Sequence, residues 1–401
     1  MWKDIASSYR GNSGTGCMSS YDVAVVGGRI AGASTALLLA RAGVRVVLLD
    51  HGRRGSDTVS THGLMRGGVL QLSRWGILPD VVAADTPPIH NVVFHYADGD
   101  DIDVMIKPSR GVDALYAPRR HLLDRLLVDA AAAAGADVLH QATVTELIRD
   151  GADRVTGVRA RNPGSAEMSF PASLTIGADG VRSTVATEAK APIIWRGNTA
   201  SAVLYRYFTG LPVRGYEWAY GEGAAAGLIP TNDATCLFVS ATPARMRSLR
   251  SSGAEHAFAT LLASAAPAFV DRVAEARHAS GLRGWGGLPG YLRHSWGNGW
   301  ALVGDAGYFK DPITTHGMTD ALRDAELLSK AIVALLSGCP EASALAAYEG
   351  TRDRLSRDMF DVTEAVAAYD WNLDELRHLL REVSAAMADE VDHLQSMQRL
   401  C

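Results

Sequence analysis

Two mostly apolar, strand-like runs, Tyr21–Val26 and Val44–Leu49, bracket a stretch, Ala31–Ala42, that reads as a helix. Parallel neighbours need such a crossover, so the pattern predicts one βαβ unit. Val92–Tyr96 and Asp101–Ile106 flank Asp98-Gly99, and Thr143–Ile148 and Arg154–Ala160 flank Asp150-Gly151. Each pair predicts a hairpin, because Asp-Gly suits a tight turn. Pro118–Ala134 predicts a helix of high propensity. Leu174–Ile176 reads as a short strand running into Gly-Ala-Asp-Gly, and Trp300–Val303 as another. Gly317–Leu336 predicts a helix, and the remainder is helical, with Asn372 as an N-cap and Glu375 three residues on.

From about 189 to 289 the pattern changes. Aromatic residues cluster at Trp195, Tyr205, Tyr207, Phe208, Tyr216, Trp218 and Tyr220. Strand-like runs such as Ala202–Phe208 and Thr235–Ser240 come first, then a helical stretch from about 254 to 276. An antiparallel sheet forming a separate domain is the expected arrangement.

A length of 401 residues exceeds what one ordinary core holds, so two domains are expected. The net charge of -5 is spread without a basic stripe, which argues against nucleic acid. The four cysteines, Cys17, Cys236, Cys339 and Cys401, form no C-x-x-C, so neither a metal cage nor a redox pair is expected, and reduced thiols in the cytoplasm are the expected state. Residues 1–19 are polar and read as a disordered leader or tag, with Met18 as a candidate start. No run reaches the roughly 20 apolar residues of a membrane span.

The first strand ends in Gly27-Gly28-Arg29-Ile30-Ala31-Gly32, a dinucleotide loop with arginine where the middle glycine usually stands. Gly27 allows the tight turn, Gly32 lets the helix pack closely, and the helix N-terminus offers N–H groups to a pyrophosphate. Arg29 either compensates with its guanidinium or turns outward. Asp50 ends the second strand, where an acid accepts hydrogen bonds from an adenosine ribose. A second constellation is Gly304-Asp305-Ala306-Gly307 after a strand, followed by Asp311, Pro312 and a helix from Gly317-Met318. A carboxylate there suits a polyol hydroxyl such as a ribityl chain, and the helix N-terminus suits the negative charge of a reduced flavin.

Together with Gly177-Ala178-Asp179-Gly180-Val181-Arg182-Ser183, these motifs resemble those of the FAD-dependent aromatic hydroxylases, the single-component flavoprotein monooxygenases related to para-hydroxybenzoate hydroxylase. The resemblance spans roughly residues 21 to 337. It implies that Asp179 belongs to a motif serving FAD and NAD(P)H, that Arg66 reaches the FAD pyrophosphate, and that Arg120 lies near the flavin chain. Ala31, Val144, Gly304, Gly317 and Met318 complete the expected cofactor set. The fold implied is α/β: a Rossmann-like FAD-binding domain (20–84, 112–188, 290–338), an antiparallel-sheet substrate domain (85–111, 189–289) and C-terminal helices (339–401).

The activity implied is oxygen insertion from O2 into an apolar or aromatic small molecule of secondary metabolism. In that cycle NAD(P)H reduces FAD, and a flavin C4a-peroxide transfers oxygen. Departures at Arg29, at Ala186 where the Asp-Gly motif usually ends in arginine, and at Thr314 where a glycine is common keep a second reading open: an FAD-dependent reductase or dehydrogenase, flavin-reductase-like or prenyl-chain-reductase-like. A binding protein with a degenerate nucleotide fold is a third. The lack of a W-x-W pair argues against a halogenase. Pro312, Thr315 and His316 are the candidates for the flavin's reactive face, although His316 is equally a helix-cap neighbour. Tyr205, Tyr207 and Trp218 either line a substrate cavity or pack in the sheet core. Asp320 and Asp324, one helical turn apart, read as a solvated face.

Overall fold

The computed structural model describes residues 21–109, 111–164 and 166–397. The leader expected over 1–19 and the start at Met18 lie outside the described residues. The α/β class holds.

One sheet runs in the order Trp296–Gly297, Trp300–Leu302, Met168–Gly177, Tyr21–Val26, Val46–Asp50, Asp137–His140. Its central strands are parallel, with Val26 opposite both Leu49 and Gly177, and Leu302 also opposite Gly177. The turns that carry the three motifs therefore leave the same carboxyl edge. That edge is where a doubly wound sheet binds its ligands. The helices Ile30–Arg41, Arg120–Ala133 and Gly317–Leu336 pack in one core on one face. On the other face the hairpin Thr143–Arg149 and Val155–Arg161 closes a second core.

The second sheet runs Arg277–His278, Ala202–Thr209, Ala234–Ala241, Ala224–Thr231, Tyr216–Gly221, Asn91–Tyr96, Asp101–Met105. It is antiparallel except where Tyr216–Gly221 pairs in parallel with Asn91–Tyr96. The helices Pro243–Arg250, Ala254–Ala265 and Pro267–Ala274 cover one face. The opposite face is aromatic: Tyr96, Tyr205, Tyr207, Tyr216, Trp218 and Tyr220 pack there with Tyr369 and Leu376 of the C-terminal segment.

Two long helices, Glu341–Ala368 and Leu373–Ser396, end the described chain. Asn372 and Glu375 form the expected capping box. Among the described residues, no helix is long and apolar enough to cross a membrane.

Several elements differ from expectation. The strand expected at Leu174–Ile176 extends over Met168–Gly177 because it gains a second partner, Val155–Arg161. The helical stretch from 254 to 276 breaks at Pro267, whose ring and missing N–H cannot continue a helix. Ile193–Arg196 lies within the stretch given to the substrate domain, yet it pairs with Tyr291–Arg293 in a separate small sheet.

Candidate functional site

At the glycine turn, Gly27 holds φ +105, and a Cβ there would overlap the Ala178 carbonyl. A Cβ on Gly32 would overlap the Gly27 carbonyl, and one on Gly28 would lie 2.8 Å from Asp50 Cβ. The first helix is thus pressed against its own turn. Gly304 joins the same contact, since a Cβ there would lie 2.8 Å from Ala31 Cβ. Arg29 caps the helix with extended backbone. Its guanidinium turns inward and is half-buried, and Nη1 has no hydrogen-bond partner among the described residues. Burial, then Arg120, lower its pKa, while Asp124, Asp50 and Asp57 pull it back up.

Asp50 is buried beside His140 and His51, each 3.7 Å away, and accepts the Gly52 N–H at 3.2 Å. Burial raises its pKa, but the His140 and Gly52 hydrogen bonds and the histidine charges hold it below the usual range. A narrow cleft of about 10 Å³, lined by Gly28, Arg29, Asp50, Arg53, Asp124 and Arg125 among others, runs over this turn. Its room is about that of one water, so a nucleotide must displace the long arginine side chains at its rim.

Asp305 differs from Asp50. Water reaches its side chain, yet it lies deep among protein atoms. Burial pushes its pKa up to about 6, against the pull of Arg120 and Lys310. Beyond it the helix Gly317–Leu336 starts at Gly317, where an added Cβ would meet nothing within 4 Å. Arg120 sits beneath, paired with Asp124 at 3.2 Å. An unpartnered guanidinium nitrogen, an open carboxyl and a clear helix N-terminus along one sheet edge fit FAD: Arg29 and the Ile30–Arg41 N-terminus for the phosphates, Asp50 for the ribose, Asp305 for the ribityl chain.

Other expected cofactor residues are placed differently. Asp179 spends its carboxylate on its own turn, accepting Ser183 Oγ at 2.5 Å and Thr184 N at 2.6 Å. Arg66 donates to the Ser109, Val112 and Lys107 carbonyls at 3.0–3.3 Å and does not face the glycine turn. The side chains of Val144 and Met318 are packed in the two cores of the first sheet.

The loop before the long helix is held from three sides. Asp311 accepts the N–H groups of Ile313 and of Ser201, the latter at 2.5 Å. Thr314 shares a hydrogen bond with Thr363 at 3.1 Å. Thr315 takes φ +54, a left-handed conformation that is costly for a β-branched residue. A Cβ on Gly63 would overlap its methyl, so glycine is required where that loop crosses. His316 is buried: Nε2 bonds Glu390 of the last helix at 2.8 Å, and Nδ1 has no partner among the described residues.

Asp320 and Asp324 are a correction to the sequence reading. Both are buried, not solvated. Asp320 pairs with Lys310 and, at 3.1 Å, with Arg323, which also meets Asp324 at 2.7 Å and Glu390 at 3.2 Å. His316, Asp320 and Glu390 lie close enough to share a metal ion. Lys310 and Arg323 already neutralise these acids, so the cluster is read as an ion network tying the loop to the last helix.

That helix roofs a cavity of about 1030 Å³. The aromatic sheet face (Phe94, Tyr96, Tyr216, Trp218, Tyr220) forms one wall. Leu380, Val383, Met387 and Val391 of the last helix form another, and Ile313, Thr314, Thr315 and His316 close one side. Trp218, Thr315 and His316 are therefore brought together, while Pro312 is not among the lining residues. Tyr205 and Tyr207 are corrections as substrate residues. Tyr205 Oη accepts the Ser60 N–H at 3.2 Å, and Tyr207 Oη bonds His62 beneath Arg119. Both share the sheet face with Trp218, but the 57–62 loop covers their end of it. The last helix went unnoticed as a wall; its apolar Leu380, Val383, Met387 and Val391 at helical spacing were the available signal.

Residues 20–363 match the family model described as FAD binding domain, and the chain belongs to that family. It is similar to a digeranylgeranylglycerophospholipid reductase of Methanothrix thermoacetophila, 26% identical over 94% of this chain and 96% of that protein. It is also similar to a squalene monooxygenase of Candida glabrata, 23% identical over 78% of this chain and 71% of the relative. A solved flavin-dependent brominase shares the fold with a TM-score of 0.78 at 17% identity, covering 94% of this chain and 98% of the other.

Proposed function

We propose that this FAD-binding oxidoreductase is a monooxygenase that uses O2 and NAD(P)H to oxygenate an apolar small molecule held in the roofed cavity. The observation that carries the reading is the cavity itself, whose inner side is the Ile313–His316 loop at the start of the helix facing the expected flavin. FAD supplies two-electron chemistry, taking hydride from the nicotinamide and reacting with oxygen. The protein's part is to bind, orient and exclude water. The aromatic wall and Leu380, Val383 and Met387 hold the substrate by burial of apolar surface. Thr315 and His316 are the polar groups nearest the expected flavin face. His316 is fixed through Nε2 by Glu390, and its Nδ1 is buried without a partner among the described residues, so a proton held there reaches the cavity only when the ring or the loop shifts.

A specific observation favours a second reading, reduction of a carbon–carbon double bond. Similarity to a prenyl-lipid reductase runs over 94% of the chain, and a double-bond reduction needs a proton donor such as His316. Product mass separates the two. Incubating the FAD-loaded protein with NADPH, O2 and apolar polyene or aryl candidates should give a product heavier by one oxygen atom. A product heavier by two hydrogens would establish the reductase and overturn the first reading.

A further inference from the structure

The cavity wall is not uniformly apolar. Tyr96, Trp218 and Tyr220 line it, each more than nine-tenths buried, and bring two hydroxyls and an indole N–H to this wall. None of these three polar groups hydrogen-bonds a described residue. Buried donors without protein partners cost about 1–3 kcal/mol each unless a ligand or water satisfies them. Tyr96 and Tyr220 stack with ring centroids 6.3 Å apart, so both belong to one part of the wall.

Charge gathers around the same space. The chain carries a net -5, yet the cavity is lined by Arg66, Lys107, Arg377 and Arg381 against a single acid, Asp392. Arg377 lies over the Tyr96 ring and is held by Asp98 and Asp100. Arg381, one turn further along the last helix, bonds only the Arg377 carbonyl, through Nε at 3.1 Å. Its two terminal nitrogens meet no carboxylate among the described residues. Arg381 also precedes Glu390, the partner of His316, by nine positions on one helix. At 1.5 Å per residue this is about 14 Å. Val383 and Met387 line the space between.

We propose that Arg381 and the hydroxyls of Tyr96 and Tyr220 form a subsite that donates hydrogen bonds to a carboxylate, and that the substrate is an elongated apolar acid. Its carboxylate lies at this subsite, and its reacting part lies further along the cavity at Thr315 and His316, whose helix partner Glu390 is about two and a half turns beyond Arg381. The proposal rests on the cavity being the substrate site and adds the anchor that sets substrate orientation.

The test uses the full-length, FAD-loaded protein titrated with dodecanoate and with 1-dodecanol, both below micelle formation, by calorimetry and tryptophan fluorescence. Dodecanoate should bind about tenfold tighter than dodecanol, the effect of charge-assisted hydrogen bonds at a partly open site. Arg381→Gln, at an exposed position, should remove that preference and leave dodecanol affinity within about twofold. The double variant Tyr96→Phe/Tyr220→Phe should weaken dodecanoate several-fold. Equal affinity for the two probes, or an intact preference in Arg381→Gln, would overturn the subsite and leave the apolar cavity standing. Binding of neither probe would remove the cavity as a substrate site, and the subsite with it.

Discussion

Around the glycine turn the protein leaves no space: Gly27, Gly28, Gly32 and Gly304 each lie where a single added carbon would strike backbone or a neighbouring side chain. Around the roofed cavity it does the reverse, holding about 1030 Å³ open with large side chains from three strands, the loop before the long helix and the last helix. The first region is fixed by backbone geometry and suits one unvarying ligand. The second is fixed by side chains, which exchange at modest cost, and suits a substrate that differs between relatives. The ion network of Lys310, Asp320, Arg323, Asp324, His316 and Glu390 joins the two, because it ties the loop between them to the roof.

The contrast can be broken most severely at the turn. Gly32→Val should abolish FAD retention on gel filtration and lower stability by about 3 kcal/mol or more in urea denaturation. Wild-type behaviour would mean that the close packing is not required. Next in size is the junction. Arg323→Met leaves three buried acids short of a cation and should cost about 3 kcal/mol or more, measured by denaturation of the FAD-free protein. A neutral result would show that the network contributes little to holding the roof.

Asp305 sharpens the comparison from the cofactor side. Asp305→Asn should weaken FAD about tenfold above neutral pH, read by flavin fluorescence. Burial raises the carboxyl to about 6, so the charged acceptor exists above that pH and is lost below it. Wild-type FAD affinity should therefore fall as pH drops through about 6, and the variant should show no such step. The same raised pKa makes Asp305 only a weak opponent of folding at high pH, because water reaches the carboxyl and screens it. Its contribution to stability declines between the ordinary carboxylate range and about 6 and is flat above.

On the cavity side the effects should be smaller on folding and larger on substrate. Ala388→Trp should fill the space, weaken 1-dodecanol at least fivefold, leave FAD affinity unchanged and cost less than about 1.5 kcal/mol. Tyr205→Phe should have the least effect, about 1 kcal/mol from the orphaned Ser60 N–H, with no change in probe binding. Weakened probe binding there would return Tyr205 to the substrate wall.

What could be read from sequence follows the same division. The glycine turn, Asp50 and the helix from Gly317 announce themselves because their roles depend on local spacing: a turn, a strand end, a helix start. Asn372 and Glu375 do so for the same reason. The cavity does not, since Tyr96, Trp218 and Leu380 meet only through tertiary packing. Period-2 alternation places Tyr205 and Tyr207 on one face of a strand but cannot say that the 57–62 loop covers them while the last helix covers Trp218. Asp320 and Asp324 look like a solvated turn because Lys310, which pairs with Asp320, and the segments packed over this helix lie outside it in sequence, so the burial of both acids is set by tertiary packing. The strand Ala224–Thr231, partner of the aromatic Tyr216–Gly221, is hard to read because alanine and glycine have little strand preference.

The most direct measurement is the reaction of the reduced protein with oxygen. FAD-loaded protein is reduced without oxygen, then mixed rapidly with oxygenated buffer, first alone and then with an apolar acid bound. Oxygen insertion requires a transient absorbance distinct from both reduced and oxidised flavin, with its decay altered by the bound molecule. Direct return of oxidised flavin under every condition would contradict the monooxygenase reading and leave a reductase that passes its electrons to another acceptor.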